Sequence, residues 1–242
     1  MKKKTVLRRL GTRTAAALVA LVLTMGCAVG GTVAWLVANT DPVVNTFTYG
    51  DINLTLDETQ TDEKGNPKDE NNDGIPDRAP EGNEYTILPG ESYLKDPLVT
   101  VQADSEACWL FVKLEEKGGT TAYPFGSYLT YAVADGWTQL LAADGTPVTG
   151  VWYRAVDKSA DAAAYPVLKD NRISVPGEVT KEMLNALDAD GQNPAYPSLS
   201  ITAYAVQYSG FEPAVSEGAT APDAAQTNAA ALLAWQTATA TP

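Results

Sequence analysis

The 242-residue chain contains no histidine. That absence removes Ser-His-Asp and Cys-His nucleophilic catalysis, His-ligated zinc and the HExxH metalloprotease helix. Cysteine is nearly missing as well, with Cys27 in an N-terminal apolar run and Cys108 alone in the rest of the chain. If the apolar run leaves with Cys27, one thiol remains, from which neither a disulfide framework nor a cysteine-only zinc site can be built. Cations are few: 17 Lys and Arg face 30 Asp and Glu, for a net charge of −13. No carboxylate stands in an obviously apolar stretch that would raise its pKa for acid–base work. The chain is not expected to be an enzyme, and no catalytic residue is assigned.

The scarce cations are also unevenly placed. Lys2, Lys3, Lys4, Arg8, Arg9 and Arg13 precede a run without charge over 14–40, and the first acid is Asp41. A basic start, an apolar run and small residues at its end are the three parts of a signal peptide. Thr32-Val33-Ala34 places small residues at −3 and −1 of a cut between Ala34 and Trp35. Removing residues 1–34 leaves 11 cations against 30 acids, a net of −19. Such a chain is repelled by nucleic acid and by anionic membrane surfaces, so contact with a membrane is expected only through the uncleaved signal. The other reading of this stretch is an uncleaved helix over 15–37, which is long enough to span a bilayer. The protein would then be a monomeric cell-surface binding module on an N-terminal anchor.

Beyond the signal, the pattern is extended. Val43 to Leu56 reads as strand, with Phe47 and Tyr49 on one parity and Ile52, Leu54 and Leu56 on the other, around Gly50. A break at Gly50 sends the two halves to different places. Residues 57–82 form a polar loop that cannot make a core of its own. Strands are expected around Tyr85–Leu88 and over Leu98–Val101, Cys108–Leu114, Tyr128–Val133, Trp137–Leu141, Val151–Val156 and Ser198–Tyr208. Asp135-Gly136 and Asp144-Gly145 are the hairpin signals between them. One helix is expected after Thr180, with Met183, Leu184 and Leu187 on one face. A second, short one over 228–235 docks through Leu232, Leu233 and Trp235. Trp109, Phe111, Trp137 and Trp152 read as core rather than as a ligand platform. The spacing predicts a mainly β chain folded as an antiparallel β-sandwich with one or two short helices.

One segment resembles a metal loop. Asp69, Asn71, Asp73 and Asp77 place oxygen side chains at positions 1, 3, 5 and 9 of a calcium loop, with Gly74 at position 6 and the Ile75 carbonyl at position 7. Position 12 is Pro80 instead of a bidentate Glu, and no helical pattern flanks the loop. Structural calcium and a solvated acidic linker therefore both remain as readings. No other cofactor is expected.

Three blocks together resemble a known family. Gly31-Thr32-Val33-Ala34 is followed by Asn45-Thr46-Phe47, Gly50 and then Ile52, Leu54 and Leu56. A Pro-Gly turn and strands follow over 88–116, and a closing strand over 200–212. Their order resembles the TasA/camelysin family of secreted Gram-positive biofilm matrix proteins. The resemblance implies a jelly-roll-like sandwich, a dedicated signal peptidase and subunits joined by donor-strand exchange. It implies four segments: signal peptide 1–34, extended donor segment 35–50, β-sandwich 51–212 and a tail over 213–242. It also implies self-association or related matrix proteins as partners, at the cell surface or in the extracellular matrix. The metalloprotease activity described for camelysin relatives does not carry over to a chain without histidine.

Overall fold

The computed structural model describes residues 46–48, 52–189, 191 and 194–240, with side chains from residue 52 onward. The cleavage pair Ala34 and Trp35, together with Asn45 and Gly50, lies outside the described residues.

The longest alternating stretches make the centre of the fold. β1 (Thr46–Thr48), β2 (Leu54–Thr59), β3 (Arg78–Ala79), β4 (Ser92–Leu94) and β5 (Leu98–Val101) precede the ten-residue β6 (Cys108–Lys117). β7 (Thr138–Leu141), β8 (Pro147–Val156), β9 (Ala163–Pro166), β10 (Arg172–Ser174) and the ten-residue β11 (Ser198–Gln207) follow. One antiparallel sheet has the order β11-β6-β8-β7, and β1 runs parallel along the outer side of β11. A second has the order β3-β2-β5-β9, and β10 pairs with β4 in a two-stranded sheet. Among the described residues the protein is thus mainly β, with antiparallel sheets and two α-helices. β1 and β2, expected from one interrupted stretch, go to different sheets.

Inward-facing residues of both large sheets share one apolar cluster. Leu54 and Leu56 of β2 and Val99 and Val101 of β5 meet Leu110, Val112 and Leu114 of β6 and Leu199, Ile201 and Ala203 of β11. Cys108 belongs to the same face and has no exposed surface. Helix α1 (Lys181–Leu187) adds Met183 and Leu187, and Thr180 Oγ1 accepts from the Met183 N–H as its cap.

The outer face of the β6 sheet is covered too. Helix α2 (Ala224–Thr239) opens on a capping box between Asp223 and Gln226. It presents Ala231, Ala234, Trp235 and Ala238, spaced i, i+3, i+4 and i+7, to Trp109, Phe111, Leu140, Val151, Tyr153 and Val206. Trp235 lies 5.4 Å from Phe111 and 5.1 Å from Tyr204, ring centre to ring centre. Asn228 bonds both backbone groups of Leu141, as a neighbouring strand would, and so closes part of the β7 edge. This helix is twice as long as its apolar residues suggest. It docks through its alanines and Trp235, with Leu232 packed at the margin, and leaves Leu233 54% exposed. Small side chains let the helix approach the sheet closely, and that approach decides the face.

Two expected strands are not formed. Residues 83–89 carry no ladder although Tyr85 and Ile87 are buried, and 128–133 make only isolated bridges, at Thr130–Ser174 and Val133–Leu168. The short strands β9 and β10, with mixed or polar sequence, carry no alternation that a sequence reading detects. Asp144-Gly145 does turn β7 into β8, with Asp144 Oδ1 accepting from the Thr146 N–H and Gly145 at φ +83°.

Replacing Trp235 by alanine should cost about 3 kcal/mol, read as a lower urea midpoint. A loss below about 1 kcal/mol would mean that α2 adds little to the fold. Burial pushes the Cys108 thiol up to about 12. Because the folded value is raised, its contribution is complete below the ordinary thiol range and is lost as pH rises from there toward about 12. Cys108 should therefore be silent to a disulfide reagent at mildly alkaline pH and react fully in urea; rapid reaction of the native protein would contradict this burial.

Candidate functional site

Three places carry the features from which a function can be argued. The first is the free side of β11. On its inner side β11 pairs with β6 over all ten residues, from Ser198–Lys117 to Gln207–Cys108. On its outer side, among the described residues, Thr46, Phe47 and Thr48 lie opposite Tyr204, Ala205 and Val206. Among the described residues no strand lies beside 198–203 on that side. Of the expected assembly residues, Thr46 and Phe47 are thus placed on a sheet edge by their backbones.

The second place is the acidic loop between β2 and β3, which is hydrogen-bonded throughout. Gln60, Lys68 and Asp77 exchange backbone bonds of 2.8–2.9 Å that lace the base of the loop. Asp62 accepts from the N–H groups of Lys64 and Asn66, and the Asn66 side chain holds its carboxyl below the usual range. In the calcium-like segment, Asp69 accepts from the N–H groups of Asp73 and Gly74. Asn71 accepts from Asp73, Asp73 from Ile75, and Asp77 from Glu70. Gly74 takes the left-handed conformation at φ +84° that position 6 requires. The expected ligands thus share one loop, but their oxygens are turned to backbone N–H groups. Among the described residues no group of three or more acids, His or Cys is placed to hold a metal ion.

The third place is the root of that loop, where the sequence reading expected solvated polar residues. Glu58 follows Leu54 and Leu56 on the inward face of β2 and is buried. Its Oε2 accepts from Lys95 Nζ at 3.0 Å, and its Oε1 accepts from the backbone N–H of Asn83 at 3.0 Å and from Asn83 Nδ2 at 2.9 Å. Asn83 Nδ2 also donates to the Thr59 carbonyl, and its Oδ1 accepts from the Thr61 N–H at 2.7 Å. Tyr85 and Tyr93 wall the pair, their rings 5.3 Å apart. Burial, and then the Glu58 charge, raise the Tyr85 pKa. Nearer the surface, Arg78 bridges Asp57 and Asp96, each at 2.6 Å, and Asp96 binds the N–H and hydroxyl of Thr59. A charge in the third place of an inward alternation was the signal for Glu58. Lys95, one step past Tyr93 on the same parity, carried the matching one.

The aromatic residues considered as a platform are taken up by packing. Trp109 and Phe111 lie under α2, and Trp109 Nε1 donates to the Phe211 carbonyl. Trp137 donates to the Pro166 carbonyl and, with Tyr165, stacks on the Arg154 guanidinium. Among the described residues no helix is long and apolar enough to cross a membrane.

Removing one member of a buried ion pair leaves the other charge uncompensated, so Lys95→Met should cost on the order of 3 kcal/mol in a denaturant titration. Adding Glu58→Gln should return part of that loss, because the stranded charge goes while an acceptor for Asn83 stays. Equal stability of the Lys95→Met protein and the parent would show that the pair contributes nothing. Comparison of the chain with protein-family models, with curated proteins and with solved structures finds no match.

Proposed function

We propose that the chain is a secreted structural protein of the cell surface or biofilm matrix of a Gram-positive bacterium. It is a subunit of, or accessory to, extracellular fibres joined by donor-strand exchange. The finer architecture under this reading is a jelly-roll-like sandwich released by a signal peptidase at Ala34–Trp35. The observation that carries the reading is the outer side of β11, a ten-residue strand beside which, among the described residues, three residues lie in parallel pairing. A short parallel pairing is a weak ladder, so exchanging it for the extended segment of a neighbouring copy loses little and gains a longer one. An open strand edge is also a template for pairing with another chain. The three blocks resembling the TasA/camelysin family support the same reading, with 35–50 as the donor.

At a net charge near −19 the mature subunits repel one another. Salt or mild acid weakens that repulsion and favours association. Electron microscopy of residues 35–242 should therefore show regular filaments that grow in number as salt rises or as pH falls into the carboxylate range. A chain beginning at Gly50 should stay monomeric in both conditions. Filaments from that shorter chain would sink donor-strand exchange, and monodisperse particles from both would sink the fibre reading. Sequencing the mature N-terminus separates release from anchoring: Trp35 as first residue fits a free subunit, and Met1 fits a membrane-held surface module.

A further inference from the structure

Lys95, Glu58 and Asn83 form a buried triad whose chemistry goes beyond an ion pair. The three residues are 4%, 6% and 4% exposed, so none of them has bulk water as a partner. One carboxylate holds both other members, with the Lys95 amine nitrogen on Oε2 and the Asn83 amide nitrogen on Oε1. The two nitrogens therefore lie on adjacent oxygens, and the amine stands beside the amide. The donor pattern fixes which way the amide faces: the Thr61 N–H needs an oxygen, and Glu58 and the Thr59 carbonyl need a nitrogen.

We propose that Lys95 and Asn83 become joined by an intramolecular amide bond, with Glu58 carrying the protons. A desolvated lysine is a competent nucleophile once it is neutral. Glu58 Oε2 takes a proton from Nζ along their 3.0 Å contact. The free amine then adds to the Asn83 side-chain carbonyl carbon, forming the new C–N bond. Negative charge develops on Oδ1, at which the Thr61 N–H is already aimed from 2.7 Å. A preplaced donor of this kind stabilises the tetrahedral adduct. Glu58 Oε1, already bonded to Nδ2, returns the proton to that nitrogen and takes up the second proton of the former amine. Glu58 passes that second proton to Nδ2 as the old C–N bond breaks, and Nδ2 departs as ammonium. Starting from a charged lysine, two protons pass from Nζ to Nδ2, Glu58 ends as it began, and nothing is oxidised or reduced. Escape of the ammonium makes the step one-way.

The link would close the segment from Asn83 to Lys95 and bind the end of the acidic loop to the strand after the Pro89-Gly90 turn. Tyr85, Tyr93, Ile87 and Leu129 surround the site and keep hydrolytic water from it.

Intact-mass measurement of the purified, denatured full chain decides the matter. The parent should be lighter than its sequence by one ammonia, whereas Glu58→Gln and Lys95→Arg proteins should have their full sequence mass. Trypsin should fail to cut after Lys95 in the parent, because an acylated lysine is not a cleavage site. Tandem spectra should then place the cross-link between positions 83 and 95. Full mass with normal cleavage after Lys95 would overturn the proposal. So would a mass lower by one ammonia with Lys95 still cleaved, since that outcome marks cyclisation of an asparagine onto its own backbone. The parent measurement decides alone, so a variant that fails to fold leaves the test intact.

Discussion

β6 and β11 run antiparallel in unbroken register over ten residues, and both faces of this ribbon are covered. Everything else is placed by reference to it. One face meets the second sheet through Leu110, Val112, Ile201 and Ala203, and the other meets α2 through Trp109, Phe111, Tyr204 and Val206. Cys108, the one cysteine among the described residues, is free, so burial is the stabilising force at hand there, and it is greatest where a strand is buried twice. α2 is the device that makes the second burial effective. Without it the aromatic face of β6 would be a contiguous apolar patch on a protein otherwise rich in acids.

The alternation that forms this ribbon was fully legible in the sequence. Cys108, Leu110, Val112 and Leu114 separate from Trp109 and Phe111 by parity alone, and so do the two faces of β11. The direction of α2 was only partly legible, because alanines carry no amphipathic signal and Leu233, unlike Leu232 and Trp235, turns to solvent. Tyr85 and Tyr128 were misleading for a related reason. Both are buried with their hydroxyls donating to carbonyls, of Leu94 and Met183, and neither sits in a strand. Burial and ladder formation are different events, and apolar composition reports only the first.

The acidic loop shows a second limit of a linear reading. Its composition suggested a segment with no role in the core, yet its two ends converge on the Glu58, Asn83 and Lys95 triad. Polar groups can be buried only when each finds a partner, and the partners here come from three separate stretches of chain. No local pattern announces such a meeting. What a sequence does offer is the anomaly itself, a Glu and a Lys in inward positions of otherwise apolar alternations. Two anomalies of opposite sign are a reason to expect that they meet.

The two sheets also divide the mechanical roles. β1 lies on the β11 sheet through three residues, whereas β2, only six residues later, is held in the other sheet. β2 has a ladder to β5, an apolar side against Val99 and Val101, and the Glu58 contacts at its end. The ladders of β2, to β3 and β5, do not involve β1. Under the proposed exchange, a lightly paired β1 ahead of a firmly held β2 is the arrangement by which an N-terminal segment would leave its own sheet while the body of the protein stays folded. A donor strand needs that combination, since a segment anchored as firmly as β2 could be given to a neighbour only by unfolding the subunit that gives it.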